Sequence, residues 1–237
     1  MLITENLCSK LFAIEKFKGY SYYMKIYDVS QLLGNDTPVY PGNPEFNTFF
    51  KSTLTTGTSN VSEITMGSHF GTHIDAPLHM VDKGLSISDI PLDTFIGKCT
   101  VLDLTHVELS ITEDDIKSAN SENTELNKIL VLKTKNSIRG FDEFHPDFIY
   151  LEPSAAEYIA GQKIRLLATD GPSVKKFHSE DLIHKFLFDH DVIIAEGLVL
   201  QNVEAGEYTF VGAPLKFKGL DASPCRIFLI KEGTNEF

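Results

Sequence analysis

Tryptophan is absent from the 237 residues, cysteine occurs three times, and no cluster of lysines and arginines appears. Each shortage removes a class of reading. Cys8, Cys99 and Cys225 are odd in number, widely spaced and outside any C-x-x-C pair. A thiolate zinc site and a disulfide framework are therefore both unsupported, and a reducing cytoplasm is the natural setting. Against 33 acidic residues stand 21 basic ones, a formal charge of −12. Phosphate is repelled on average by such a surface, which argues against nucleic acid as a partner. No apolar run approaches the length of a membrane span. The first 23 residues carry Glu5, Glu15 and three lysines among short apolar runs, which is not a secretory signal. There is no G-x-S-x-G elbow, so a serine hydrolase has no nucleophile in the expected setting.

What remains is an ordinary globular composition, 42% hydrophobic and 23% charged, in a chain long enough to bury a full core. Strand-like runs stand at 25–32, 99–104, 129–133, 164–168, 192–200, 208–211 and 226–230. Between them lie helical stretches. Thr112 reads as a cap with three acids behind it, Ser154 as the cap of a helix to Ala160, and Ser179 as the cap of one to about Phe188. The pattern predicts an α/β fold with a mixed sheet. Residues 1–23 read as an N-terminal extension, with a short amphipathic helix over Leu7, Leu11, Phe12 and Ile14, ahead of one domain at 24–237.

Between Ser68 and Met80 three of the eight histidines and one aspartate fall within eleven residues: His69, His73, Asp75 and His79. Imidazole and carboxylate suit zinc, manganese or iron. All four positions share one parity, so an extended backbone points them to one face. Gly71, Thr72 and Pro77 argue against a helix here, and with it against the helical H-E-x-x-H site. A hydrogen-bonded loop is the plainer alternative, but several polar groups buried together without a cation would compete for partners.

The second feature is Glu196, within Val-Ile-Ile-Ala-Glu-Gly-Leu-Val-Leu. A carboxylate in so apolar a strand must be paired, protonated or bound to a cation. His184 sits twelve residues earlier on a predicted helix that can pack back against the strand. The competing reading pairs Glu196 with an arginine such as Arg226 and leaves His184 on a helix surface.

Taken together, these residues resemble the cyclase-like metal hydrolase family that contains the bacterial kynurenine formamidases. The family signature H-x-G-T-H-x-D-x-P-x-H stands complete from His69 to His79. Asp28-Val29-Ser30, Tyr40-Pro41-Gly42, Pro214-Leu215-Lys216 and Asp221-Ala222-Ser223-Pro224 are further matches. The resemblance implies a swivelling β/β/α domain, a homodimer or larger, holding two divalent metal ions, zinc before manganese. It makes His69, His73 and Asp75 ligands of one ion and His184 of the second, with Asp75 and Glu196 shared. His79 becomes the general acid and base. Tyr40 stands where kynurenine formamidases typically carry tryptophan, so the wall that would receive an aryl group differs.

Such a pair of ions lowers the pKa of bound water toward neutrality, and imidazole can deliver a proton to a departing amine. Tyr40 and Phe70 are the candidates to stack on a planar substrate; core packing is the equal alternative for Phe70. The expected function is an arylformamidase hydrolysing N-formyl-L-kynurenine to kynurenine and formate. The alternatives are hydrolysis of a cyclic amide of the isatin type or a lactone, and a metal-binding protein without catalysis.

Overall fold

The apolar runs in the middle of the chain become a parallel quartet of strands at the centre of a large sheet. The structure, a computed structural model, describes residues 9–17, 20–120 and 124–236. In chain order the first elements are β1 (Ser9–Phe17), β2 (Tyr20–Asp28), β3 (Asn47–Ser52), β4 (Val61–Thr65), β5 (His73–Asp75), β6 (Ile96–Asp103) and β7 (Ser110–Ile111). Then follow α1 (Glu113–Ala119), β8 (Ile129–Lys133), α2 (Asn136–Arg139), β9 (Tyr150–Leu151), α3 (Pro153–Gly161) and β10 (Leu166–Thr169). The last are α4 (Ile183–Asp189), β11 (Ile193–Glu196), β12 (Gly206–Val211), β13 (Ala222–Pro224) and β14 (Phe228–Glu236).

Ten strands form one sheet in the order β1-β2-β14-β12-β6-β8-β10-β11-β5-β13. β6, β8, β10 and β11 run parallel to one another, while every pairing outside this quartet is antiparallel. Parallel strands are covered on both faces, so they read as continuous apolar runs rather than as alternation. Alternate residues nonetheless enter different cores. Leu130, Leu132, Leu167 and Ile194 pack with Ile116, Ala156, Ile159 and Leu187 of the helices. Ile129, Val131, Leu166 and Ala195 pack with Tyr27, Phe95, Phe210 and Leu229 on the other side. This is the expected α/β fold with a mixed sheet.

Three local expectations are corrected. Ser9–Phe17 is a strand rather than a helix, paired antiparallel with β2; Leu7 lies outside the described residues. A short helix is weak by itself, and an open sheet edge offers the backbone a full ladder of hydrogen bonds instead. Ser154 is not a cap: α3 starts with Pro153 in its first turn after Glu152, the place where a missing N–H costs nothing. Ser179 also precedes its helix, since α4 begins at Ile183 and the Ser179 hydroxyl donates to Asp181. Thr112 does cap α1, in a reciprocal box with Asp115.

Candidate metal centre

Register builds the site. In the antiparallel pairing of β5 with β11, His73 lies opposite Glu196 and Asp75 opposite Ile194. Residues opposite one another share a face. Ile194 belongs to the helix-side core, so His73, Asp75 and Glu196 point toward the helices as well. α4 lies on that side and carries His184, whose Nε2 reaches 3.1 Å from Glu196 Oε1 and 3.7 Å from Asp75 Oδ2. The backbone N–H of Val174, in the loop after β10, donates to Glu196 Oε1 at 2.8 Å. Arg226 is engaged elsewhere, on Asp28. Glu196 therefore pairs with His184 across the packed helix.

His69 precedes the strand, yet the chain bends back to bring it in. Gly71 has φ +62°, and a Cβ there would lie 2.2 Å from Leu33 Cδ2. Gly197 at φ +73° faces it, with its own missing Cβ 2.8 Å from the Gly71 carbonyl oxygen. Only glycine fits both the conformation and the approach. Thr72 locks the crossing by donating to the Gly197 carbonyl at 2.7 Å and accepting from Gln31 N at 2.9 Å. His69 Nδ1 then lies 2.8 Å from Asp75 Oδ1. Pro77 opens a short 3-10 turn to His79, whose ring centroid sits 4.2 Å from that of His69.

Donor atoms of His69, His73 and Asp75 lie within 4.8 Å of one another, as do those of Asp75, His79 and His184. His79 is thus as near the centre as the residues expected to be ligands. His73 donates from Nδ1 to the Gly71 carbonyl at 2.8 Å. That bond orients the ring, and Nε2 faces Asp75 Oδ1 at 3.3 Å and Glu196 Oε2 at 3.5 Å. Both oxygens of Asp75, His73 Nε2 and His184 Nδ1 are buried without a hydrogen-bond partner. Carboxylate oxygens and imidazole nitrogens crowded together are costly to bury. They are the ligand types a divalent cation takes, so the residues present fit a metal.

The electrostatics follow the crowding. Burial disfavours ionisation of Asp75, but His73 and His69 outweigh it and hold its carboxyl well below the usual range. Burial and Asp75 push Glu196 up, yet His184 and His73 bring it below the ordinary value. Burial opposes protonation of His73, and the Asp75 and Glu196 carboxylates more than compensate, raising it well above an ordinary imidazole. His79 is lowered, mainly by burial, with His69 and His184 adding to the effect.

Two residues escaped the sequence reading. Asp221, just before β13, accepts from Ser68 Oγ at 3.0 Å and lies 2.9 Å from His69 Nε2 and 3.6 Å from His79 Nδ1. One carboxylate thus faces two of the site's imidazoles; its motif was visible, its aim was not. Asp170, fully buried, accepts from Thr134 N at 2.8 Å and Thr134 Oγ1 at 2.7 Å and joins the ends of β8 and β10. Two cavities meet at the histidines and share Tyr40. One contains Tyr40, Phe141, Phe144 and Phe148; the other contains His79, His184, Glu196 and Lys175. Tyr40 packs edge-on against Phe144 and Phe177 at 5.3 and 5.6 Å. Phe70 lines neither cavity: 2% exposed, it stacks on Phe46 at 4.9 Å.

A mixed sheet with a buried histidine–carboxylate cluster at the ends of β5 and β11 defines a class of metal-dependent hydrolase. The family model described as "Putative cyclase" matches residues 27–176, and the chain belongs to that family. The kynurenine formamidase of Erythrobacter litoralis is 35% identical over 207 residues, covering 86% of this chain and 93% of that protein. The kynurenine formamidase of Bacillus thuringiensis is 34% identical over 202 residues, 84% of this chain and 94% of its own. Among solved structures, a "predicted metal-dependent hydrolase" from Bacillus stearothermophilus has 40% identity and a TM-score of 0.75, covering 87% and 98% of the two chains. An isatin hydrolase bound to thioisatinate has a TM-score of 0.79 at 20% identity over 89% and 93%, a likeness of fold.

Proposed function

We propose that the protein is an arylformamidase that hydrolyses N-formyl-L-kynurenine to kynurenine and formate with two divalent ions, zinc before manganese. The buried imidazoles and carboxylates gathered within ligand distance of one another carry this reading. The formamidase relatives, matched over nearly their whole length, support the choice of substrate. His69, His73 and Asp75 would hold one ion and His184 the other, with Glu196 completing the set. When bound, such ions polarise an amide carbonyl and make water a better nucleophile.

The protein's own groups do the rest. The Gly71 carbonyl fixes the His73 ring, and Asp221 steadies His69. His79, half-buried beside them, takes a proton from the attacking water and returns it to the aryl amine as the C–N bond breaks. Water adds to the formyl carbon, the amine leaves with one proton, and formate remains. Tyr40, backed by Phe144 and Phe177, forms the wall for the aryl ring. The protein acts as a homodimer or larger assembly.

The test is hydrolysis of N-formyl-L-kynurenine by purified protein, with bound metal quantified, before and after chelation and for His79→Ala. The expected outcome is chelator-sensitive turnover that falls by about 10²–10⁴-fold in the variant while its metal content stays. Metal-loaded protein that ignores this substrate but opens isatin transfers the reading to cyclic amides. Protein that retains no zinc or manganese after dialysis overturns it.

A further inference from the structure

Among the residues that line the two cavities meeting at the histidines, Lys175 alone is a lysine or arginine. It lines the cavity that contains His79, His184 and Glu196. The metal centre fixes where its backbone runs. Val174 donates its N–H to Glu196, and the N–H of Lys175, the next residue, donates to Ser173 Oγ at 3.3 Å. The Lys175 ammonium donates to the Ser179 carbonyl at 3.0 Å. An ammonium has three N–H donors, so two stay open. Lys175 is half-buried and forms no ion pair with a carboxylate among the described residues. Half-buried Lys133 and Lys135 differ, since each has a carboxylate partner, in Asp103 and Glu108. Withdrawing a cation from water without a counter-charge is costly. The chain has acids to spare, 33 against 21 basic residues, yet none meets this one. Asn43 lines the same cavity, and among the described residues its side-chain amide makes no hydrogen bond. A cation and an amide left open beside the reaction centre suit an anion that arrives with the ligand.

We propose that Lys175, with Asn43, forms a subsite for a carboxylate on the substrate's tail, so that the protein selects acid-bearing formamides over neutral ones. Placement supports the assignment. The two cavities share Tyr40, His69, His73 and Pro172. An amide held at the histidines therefore has the aromatic cavity on one side and the lysine on the other. The aromatic cavity also carries the acids Glu143 and Asp170 and has no lysine or arginine, which disfavours an anion there. In an ortho-substituted formanilide the amide and the tail leave adjacent ring carbons. The ring can then lie against the phenylalanines while the tail turns to Lys175. A lysine ammonium is a point charge with rotatable donors, suited to a carboxylate on a flexible chain. It repels a second ammonium, so on an amino-acid tail the carboxylate is the group recognised.

The inference rests on the formamidase reading, and the experiment separates the two. Hydrolysis of N-formyl-L-kynurenine is compared with that of its methyl ester, which keeps the tail and its amine but loses the negative charge. Wild type is expected to prefer the acid. In Lys175→Gln, which keeps a donor for the Ser179 carbonyl, the ratio of kcat/KM for acid over ester is expected to fall by about 10–100-fold, carried by KM. Lys175→Arg is expected to retain most of the preference, and Lys176→Gln, an exposed neighbour outside both cavities, all of it. Calorimetry with L-kynurenine and its methyl ester reads the same discrimination without turnover. Equal losses on acid and ester, or a wild type without preference in either measurement, overturn the subsite alone. Protein that hydrolyses neither substrate yet loses kynurenine affinity in Lys175→Gln overturns the formamidase reading and keeps the subsite. Protein that neither hydrolyses nor binds these compounds overturns both.

Discussion

Two short strand pairs near the catalytic end of the molecule break opposite rules. In the seam of β5 and β11 the charged and polar side chains of His73, Asp75 and Glu196 are buried. In the hairpin of β3 and β4 the apolar side chains of Phe49, Phe50, Val61 and Ile64 are exposed. Buried polar groups and exposed apolar patches are the informative exceptions in a globular protein. The seam gathers groups that suit a cation, and the hairpin turns apolar side chains to solvent. The difference teaches that the large sheet keeps its polar site inside while a separate small sheet carries exposed apolar side chains, the two joined by the short stretch from Gly67 to Thr72.

The contrast breaks most sharply at Asp75. In Asp75→Asn the seam loses the carboxylate both ions would share. Thermal shift on adding zinc or manganese is expected to vanish, and hydrolysis to fall by roughly 10³-fold, equivalent to about 4 kcal/mol. A variant that still gains stability from metal assigns the site to other residues. Next comes Ile74, fully buried between His73 and Asp75 but on the strand's other face. Ile74→Ala is expected to cost about 2–5 kcal/mol in urea unfolding. The same change at Ile64 on the hairpin is expected to stay within about 0.5 kcal/mol. Equal costs at the two isoleucines would erase the distinction between seam and hairpin. Asp221→Asn sharpens the comparison from the rim: it removes the charge that faces His69 and His79, and metal affinity or activity should drop by about 10–100-fold. Metal titration and kcat/KM together show which of the two carries the loss.

Much of this was legible before any coordinates. Periodicity and apolar runs located the strands at 129–133 and 208–211, and Thr112 with Asp115 marked the start of α1. The spacing from His69 to His79 pointed to one metal-binding face, and the buried cost of Glu196 pointed to His184. The failures share a cause. Ser154 and Ser179 have the chemistry of caps, but Pro153 and the preceding loop decide where the helices begin. Phe70, read with core packing as an equal alternative, lies inward on Phe46. The aromatic wall around Tyr40 is assembled from Phe144 and Phe177, far away in sequence.

The sequence by itself determined the apolar strands and the imidazoles and carboxylates available to the site, because residue type and short-range geometry act within a few bonds. Tertiary structure alone decided that β5 would lie beside β11 in the register that sets His73 against Glu196. It also brought Asp221 under two histidines and left the hairpin without cover. Those outcomes depend on which distant segments pack together, and that is fixed by burial of the whole core rather than by any one stretch of residues.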